Sequence, residues 1–215
     1  MKKSEVAILI VILFSSIIGI YFYPRMPENM ASHWNEKGEV NGYMPKIWGL
    51  FLVPIISFVL FLLFVAIPKI DPLKKNIEKF RKYFDTFMLL IILFLFYVYL
   101  LTIFWNLGLR FNFFPVLVPV FSFIIYYSGV LIENSKRNWF IGVRTPWTLS
   151  NDEVWNKTNK LGGKLFKIAA IFALIGIIFG NYAIYFVISP IIIASFYTIV
   201  YSYLEYQKQI RKAKK

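Results

Sequence analysis

Five stretches of this 215-residue chain contain no Asp, Glu, Lys or Arg: Val6 to Pro24, Ile47 to Pro68, Thr86 to Leu109, Phe111 to Ile132 and Ile168 to Leu204. They run 19, 22, 24, 22 and 37 residues. About 20 apolar residues at 1.5 Å each cross a hydrocarbon layer about 30 Å thick, so each stretch is long enough to span a bilayer. The last is too long for one ordinary span. Gly180-Asn181 near its middle reads as a tight turn between two helices, which makes six spans. A chain that is 59% hydrophobic and 16% charged carries more apolar surface than a soluble core of this size can bury. The fold class is therefore an all-α integral membrane protein of six transmembrane helices.

The formal net charge of +13 would suggest nucleic acid in a soluble protein, but here its distribution matters more than its sum. Of the 24 Lys and Arg residues, 19 fall before span one or in the segments after spans two, four and six, only Arg25, Lys37, Lys46 and Arg110 fall on the other side, and Lys167 sits at the boundary of span five. By the positive-inside rule both termini are cytoplasmic, and the expected location is the cell membrane. Direct nucleic-acid binding is not expected, since the basic residues lie along membrane-proximal loops without a recognition motif. The Lys2-Lys3 start resembles a secretory signal, but the apolar run ends in Tyr21-Phe22-Tyr23-Pro24 without a small-residue cleavage pattern, so we expect a retained anchor. With no cysteine, disulfides, thiolate catalysis and cysteine metal sites are excluded.

The chain divides into residues 1–67, a two-span module with an external loop; 68–114, a basic cytoplasmic approach and span three; and 115–215, which holds span four, a long cytoplasmic loop and spans five and six. In the approach, Ile77, Phe80, Phe84 and Phe87 recur at helical spacing among Lys and Arg, a pattern expected to lie on the anionic inner leaflet.

Two loops are long enough to carry function. The outer one, Pro24 to Lys46, is expected to fold as a cap on the membrane, with Pro24 and Pro27 delaying any helix, Gly38 and Asn41-Gly42 supplying turns, and Trp34 and Tyr43 anchoring at headgroup level. His33, the only histidine, lies near Asn35, Glu36 and Glu39 and invites a metal or acid–base reading, yet one imidazole without thiolates falls short of a zinc ligand set. We expect it to order the loop by a hydrogen bond, with neither catalytic residue, metal nor cofactor. A recognition surface for an amphipathic peptide, built on the His-Trp-Asn turn, is the third reading.

In the cytoplasmic loop, Ser150 and Glu153 have the spacing of a capping box, which predicts a short amphipathic helix from about Asn151, running along the inner surface and turning into span five at Gly162-Gly163. Trp139, Trp147 and Trp155 are expected to form an interfacial belt. Arg144 is placed to hold the loop against Glu133, Asp152 or Glu153, or to bind a lipid phosphate or an acidic partner.

These loops resemble a known family. Asn138, Phe140, Ile141, Gly142, Arg144, Thr145, Pro146, Trp147, Thr148, Leu149 and Ser150, followed by Trp155, Lys157 and Thr158, look like the hallmark of the SdpI family of membrane proteins associated with immunity to, and sensing of, a secreted membrane-active peptide toxin. The outer run of Met26-Pro27, His33, Trp34, Asn35, Gly38, Glu39, Gly42 and Tyr43 is similar to the uncharacterised module that often begins such proteins. Where the family often has His-Arg after Lys-Thr, this chain has Asn159-Lys160. The resemblance implies a non-enzymatic immunity or sensor protein in the bilayer, with a hydrophobic peptide toxin as its outer partner. On the inner side the expected partner is anionic lipid or a cytoplasmic regulator. The residues leave two alternatives, a small-solute transporter, disfavoured by the lack of ionisable groups in the spans, and a membrane enzyme using the His33 loop.

Overall fold

A computed structural model describes residues 2–35 and 37–213, and Glu36 lies outside them. In chain order the elements are α1 (Lys3–Phe22), β1 (Asn29–Trp34), β2 (Val40–Pro45), α2 (Lys46–Ile70), α3 (Lys74–Glu78), α4 (Arg81–Asn106), α5 (Phe113–Asn134), α6 (Pro146–Ser150), α7 (Asp152–Gly176) and α8 (Ala183–Ala213), with 3-10 turns at Tyr23–Arg25 and Ile177–Tyr182. Among the described residues, six helices are long and apolar enough to cross a membrane, as the uncharged stretches predict. Their outward faces are greasy. Ile10, Ile20, Ile178, Ile193 and Phe196 are each more than 60% exposed, which lipid tolerates and water does not.

The chain forms two compact units, each assembled from separated segments: Met1–Phe64 with Met88–Phe121, and Val65–Phe87 with Ser122–Lys215. In the first, α1 buries Ile8, Ile12, Ser15 and Gly19, spaced by four, three and four residues along one helix face. At Gly19 an added methyl would meet the Tyr99 hydroxyl at 3.0 Å and the Leu50 carbonyl at 3.3 Å, so the absence of a side chain is what lets α1, α2 and α4 approach. Tyr99 Oη donates to the Ser15 carbonyl, 3.1 Å away, satisfying a buried hydroxyl in an apolar setting. Met26, Met30, Leu50, Tyr99 and Ile103 form the core there.

The expected outer cap is an antiparallel β-hairpin, a strand pair within an otherwise helical protein. Its register pairs Met30 with Met44, Ala31 with Tyr43, His33 with Gly42 and Trp34 with Val40, with irregularities on either side of His33.

In the second unit, α7 and α8 are antiparallel neighbours joined through Gly180, whose φ of 57° a side chain would strain. That is the turn expected at Gly180-Asn181. The turn expected at Gly162-Gly163 is absent, because α7 continues without a break from Asp152 to Gly176. These glycines pack instead. A methyl on Gly163 would lie 2.5 Å from the Gly129 carbonyl, and one on Gly129 would lie 2.6 Å from the Gly163 carbonyl, so α5 and α7 touch backbone to backbone. The cap of α7 is Asn151, whose side-chain oxygen accepts from the amides of Glu153 and Val154, while the Ser150 hydroxyl donates to the Trp147 carbonyl. The basic approach also differs from expectation. Ile77, Phe80 and Phe84 are buried within the protein, so its apolar face packs on protein where a lipid surface was expected.

Candidate functional site

The hairpin is built by its polar and small residues. Asn35 Oδ1 accepts from the amides of Lys37 and Glu39 at 3.0 and 2.9 Å, and its Nδ2 donates to Glu39 Oε2 at 3.0 Å, so one side chain closes the turn. Gly38 sits at φ 78°, against the side chain of Asn112. Gly42 faces His33 across the strands, and a methyl there would lie 2.9 Å from the His33 Cβ. His33 is exposed, and its Nδ1 donates to Asn41 Oδ1, the loop-ordering bond expected of it. Among the described residues no group of three or more His, Cys, Asp or Glu is placed to hold a metal.

Trp34 is not a headgroup anchor. Its ring stacks on Phe113 at 4.0 Å between centroids and meets Trp105 edge-on at 5.6 Å, fastening the end of β1 to α4 and α5. The stronger fastening is one that sequence reasoning missed. Asn106, at the end of α4, accepts the Ala31 amide on Oδ1 at 2.8 Å and donates from Nδ2 to the Ala31 carbonyl at 3.0 Å. A side-chain amide thus pairs with β1 as a neighbouring strand would, satisfying both polar groups of a residue that is 1% exposed. The available signal was a lone amide inside a charge-free run.

This docking leaves Tyr43 of the hairpin free, and Ile47 and Trp48 at the start of α2 are exposed as well. Tyr43, Ile47 and Trp48 are 64%, 47% and 52% exposed. Beside them a recess of about 160 Å³ opens between Ser32 and Met44 of the hairpin, Trp48 and Leu52 of α2, and Val98 and Thr102 of α4. Its lining is largely apolar, with three hydroxyl-bearing side chains, Ser32, Tyr99 and Thr102.

The second motif forms a polar knot. Asn138, fully buried, accepts the amides of Phe140 and Ile141 and donates to the carbonyls of Lys136 and Ile141, all within 2.9 Å. Gly142 has φ 108°, and a methyl there would fall 2.5 Å from Asn159 Oδ1. Asn159 in turn accepts the Val143 amide at 2.7 Å and donates to the Trp155 carbonyl. Thr145 and Thr148 cap α6 reciprocally around Pro146, the Thr148 hydroxyl also donates to the Val143 carbonyl, and Thr145 Oγ1 meets Ser202 Oγ of α8 at 3.0 Å. Trp147 packs edge-on against Tyr203.

Two expectations for this loop are corrected. Trp155 is no part of an interfacial belt: it is fully buried, and its indole donates to the Ser135 carbonyl. Trp139 is half exposed. Arg144 pairs with none of the three carboxylates considered, because Glu133 is held by Lys167, Asp152 lies 2.9 Å from Arg137 Nε, and Glu153 is held by Lys157. Its guanidinium instead donates to the Trp139 carbonyl at 2.6 Å, bracing the loop from its exposed side. Asp71, buried and unforeseen, accepts the amides of Leu73 and Trp139 and so ties the segment after α2 to the motif. Asp-Pro at 71–72 was the sequence sign of that turn.

Residues 134–202, which enclose this knot from just before Asn138 through Ser202, match the SdpI/YfhL protein family. The whole chain is 26% identical over 209 residues to the immunity protein SdpI of Bacillus subtilis (strain 168), an alignment covering 97% of this chain and 98% of that protein. The matched segment places residues 134–202 in the SdpI family. The chain also matches a domain of unknown function, DUF1648, over residues 10–58, a range that holds the hairpin but not Asn106. No solved structure matches it.

Proposed function

We propose that this protein is an immunity protein of the cell membrane that engages a membrane-active peptide through its hairpin, without catalysing a reaction. Both termini are placed in the cytoplasm and the hairpin outside, following the distribution of Lys and Arg. The observation that carries the reading is the hairpin's docking. Asn106 and the Trp34 stack hold it rigidly, with Tyr43 exposed on it and Ile47 and Trp48 exposed at the start of α2, where Met44 and Trp48 line a largely apolar recess. Rigid aromatic anchors with a few hydroxyls suit an amphipathic peptide, because little side-chain entropy is lost when it binds. The likeness to a relative named as an immunity protein supports the same reading. His33 and Asn35 serve the hairpin's own geometry, and the Asn138 to Trp155 motif serves as a brace that fixes α7, α8 and the loops beside them.

The test is survival of a sensitive bacterial strain challenged with amphipathic, membrane-active peptides. The chain should raise the tolerated dose of its cognate peptide, and the pair Tyr43→Ala with Trp48→Ala should abolish protection while the protein remains in the membrane at normal abundance. Full protection by that double variant would defeat the proposal.

A further inference from the structure

The α7–α8 pair carries a second surface, distant in sequence from the hairpin. Lys160, Leu161 and Lys164 of α7 and Tyr201 of α8 line a recess of about 240 Å³. Next along the same two helices lies a groove of about 370 Å³, whose lining includes Leu165, Ala169 and Phe172 on one side and Pro190, Ala194 and Tyr197 on the other. Leu165 is one helical turn from Leu161, and Tyr197 one turn from Tyr201, with the two tyrosine rings stacked 6.4 Å apart. The two hollows are therefore in line. Ala169 and Ala194 are buried and form the floor, while Phe172 and Tyr197 stand exposed as walls.

The charges at the recess are unequal in availability. Lys157, which also lines it, is engaged by Glu153 and by the buried Glu205. Lys160 and Lys164 are exposed, lie four residues apart on one helix face, and have no carboxylate partner among the described residues. We propose that this furrow is a binding site for one anionic phospholipid, its acyl chain in the groove and its phosphate between Lys160 and Lys164. Charge complementarity selects this occupant: the apolar groove would accept any hydrocarbon, but two unpaired ammonium groups at its mouth favour a headgroup of net negative charge. A zwitterionic headgroup would bring its own cation to the same place and lose that advantage.

The test uses the purified full-length protein in mixed micelles, with bound lipid counted by native mass spectrometry. Dioleoylphosphatidylglycerol should be retained over dioleoylphosphatidylcholine by roughly tenfold, the scale expected of one to two lysines near a headgroup. Lys160→Gln with Lys164→Gln should bring the two lipids to parity, and Lys74→Gln with Lys75→Gln, on another basic segment, should leave the preference intact. Ala194→Leu should lower retention of both lipids by filling the groove. Soluble glycerol 3-phosphate should not displace the lipid, since it has no chain to anchor. Parity in the unaltered protein, a preference that survives loss of Lys160 and Lys164, displacement by glycerol phosphate, or occupation of the groove by a second copy of the chain would each overturn the proposal. None of these readouts depends on peptide immunity.

Discussion

Asn106 and Gly142 are the two positions where a single atom group decides a local fold. Replacing Asn106 by Leu would leave the amide and carbonyl of Ala31 buried without partners, at a cost on the order of 1–3 kcal/mol for each group. Hydrogen exchange at Ala31 should accelerate and the detergent-solubilised protein should melt earlier; unchanged protection would show that the hairpin is held by other means. At Gly142, Ala would have to adopt φ 108° and press on Asn159 Oδ1, a strain of about 1–3 kcal/mol before any clash is counted. We expect Gly142→Ala to unfold the loop locally, seen as rapid proteolysis between Asn138 and Asn151. Shrinking Asn159 to Ala in the same chain should not rescue it, because the backbone strain remains. Thr148→Val keeps the shape of a buried side chain but removes the hydroxyl that serves the Thr145 amide and the Val143 carbonyl, and should destabilise by about 1–3 kcal/mol in a thermal melt.

The helices were legible as spans and much less legible as packing partners. Gly162-Gly163 suggested a turn because glycine permits one, yet Gly163 instead lets α7 contact the backbone of α5 at Gly129. Inside a bilayer, glycine in a helix costs less than in water, since the backbone cannot turn to solvent for hydrogen bonds and small residues gain close van der Waals contact. A Gly163→Leu substitution should therefore separate α5 from α7. A carbodiimide crosslink between the ion-paired side chains of Glu133 on α5 and Lys167 on α7 should then form more slowly than in the parent, and an unchanged rate would argue against tight packing there. The hairpin was legible only as an ordered cap. Its strands are short and their alternation is masked by the motif residues, so β1 takes its final form from Asn106, 75 residues away.

For the whole molecule, the decisive prediction is topology. The chain has no cysteine, so single cysteines report cleanly. In intact cells a membrane-impermeant thiol reagent should label Tyr43→Cys and should reach Lys160→Cys only after the membrane is opened; the reverse pattern would invert the arrangement and remove the peptide-facing role of the hairpin. Six spans follow from local hydropathy because each segment's transfer into lipid is settled almost independently of the others, and the orientation proposed for them rests on loop charge. Which face of each helix turns inward was not readable in the same way. On α1 the buried Ile8 and Ile12 and the exposed Ile10, Leu13 and Ile17 are chemically alike, so no amphipathic period separates protein from lipid. Close packing at Gly19 and Gly163, and the few buried hydrogen bonds of Asn106, Asn138 and Asn159, made that choice, since in an apolar solvent shape and unsatisfied polar groups are what remain to distinguish one contact from another.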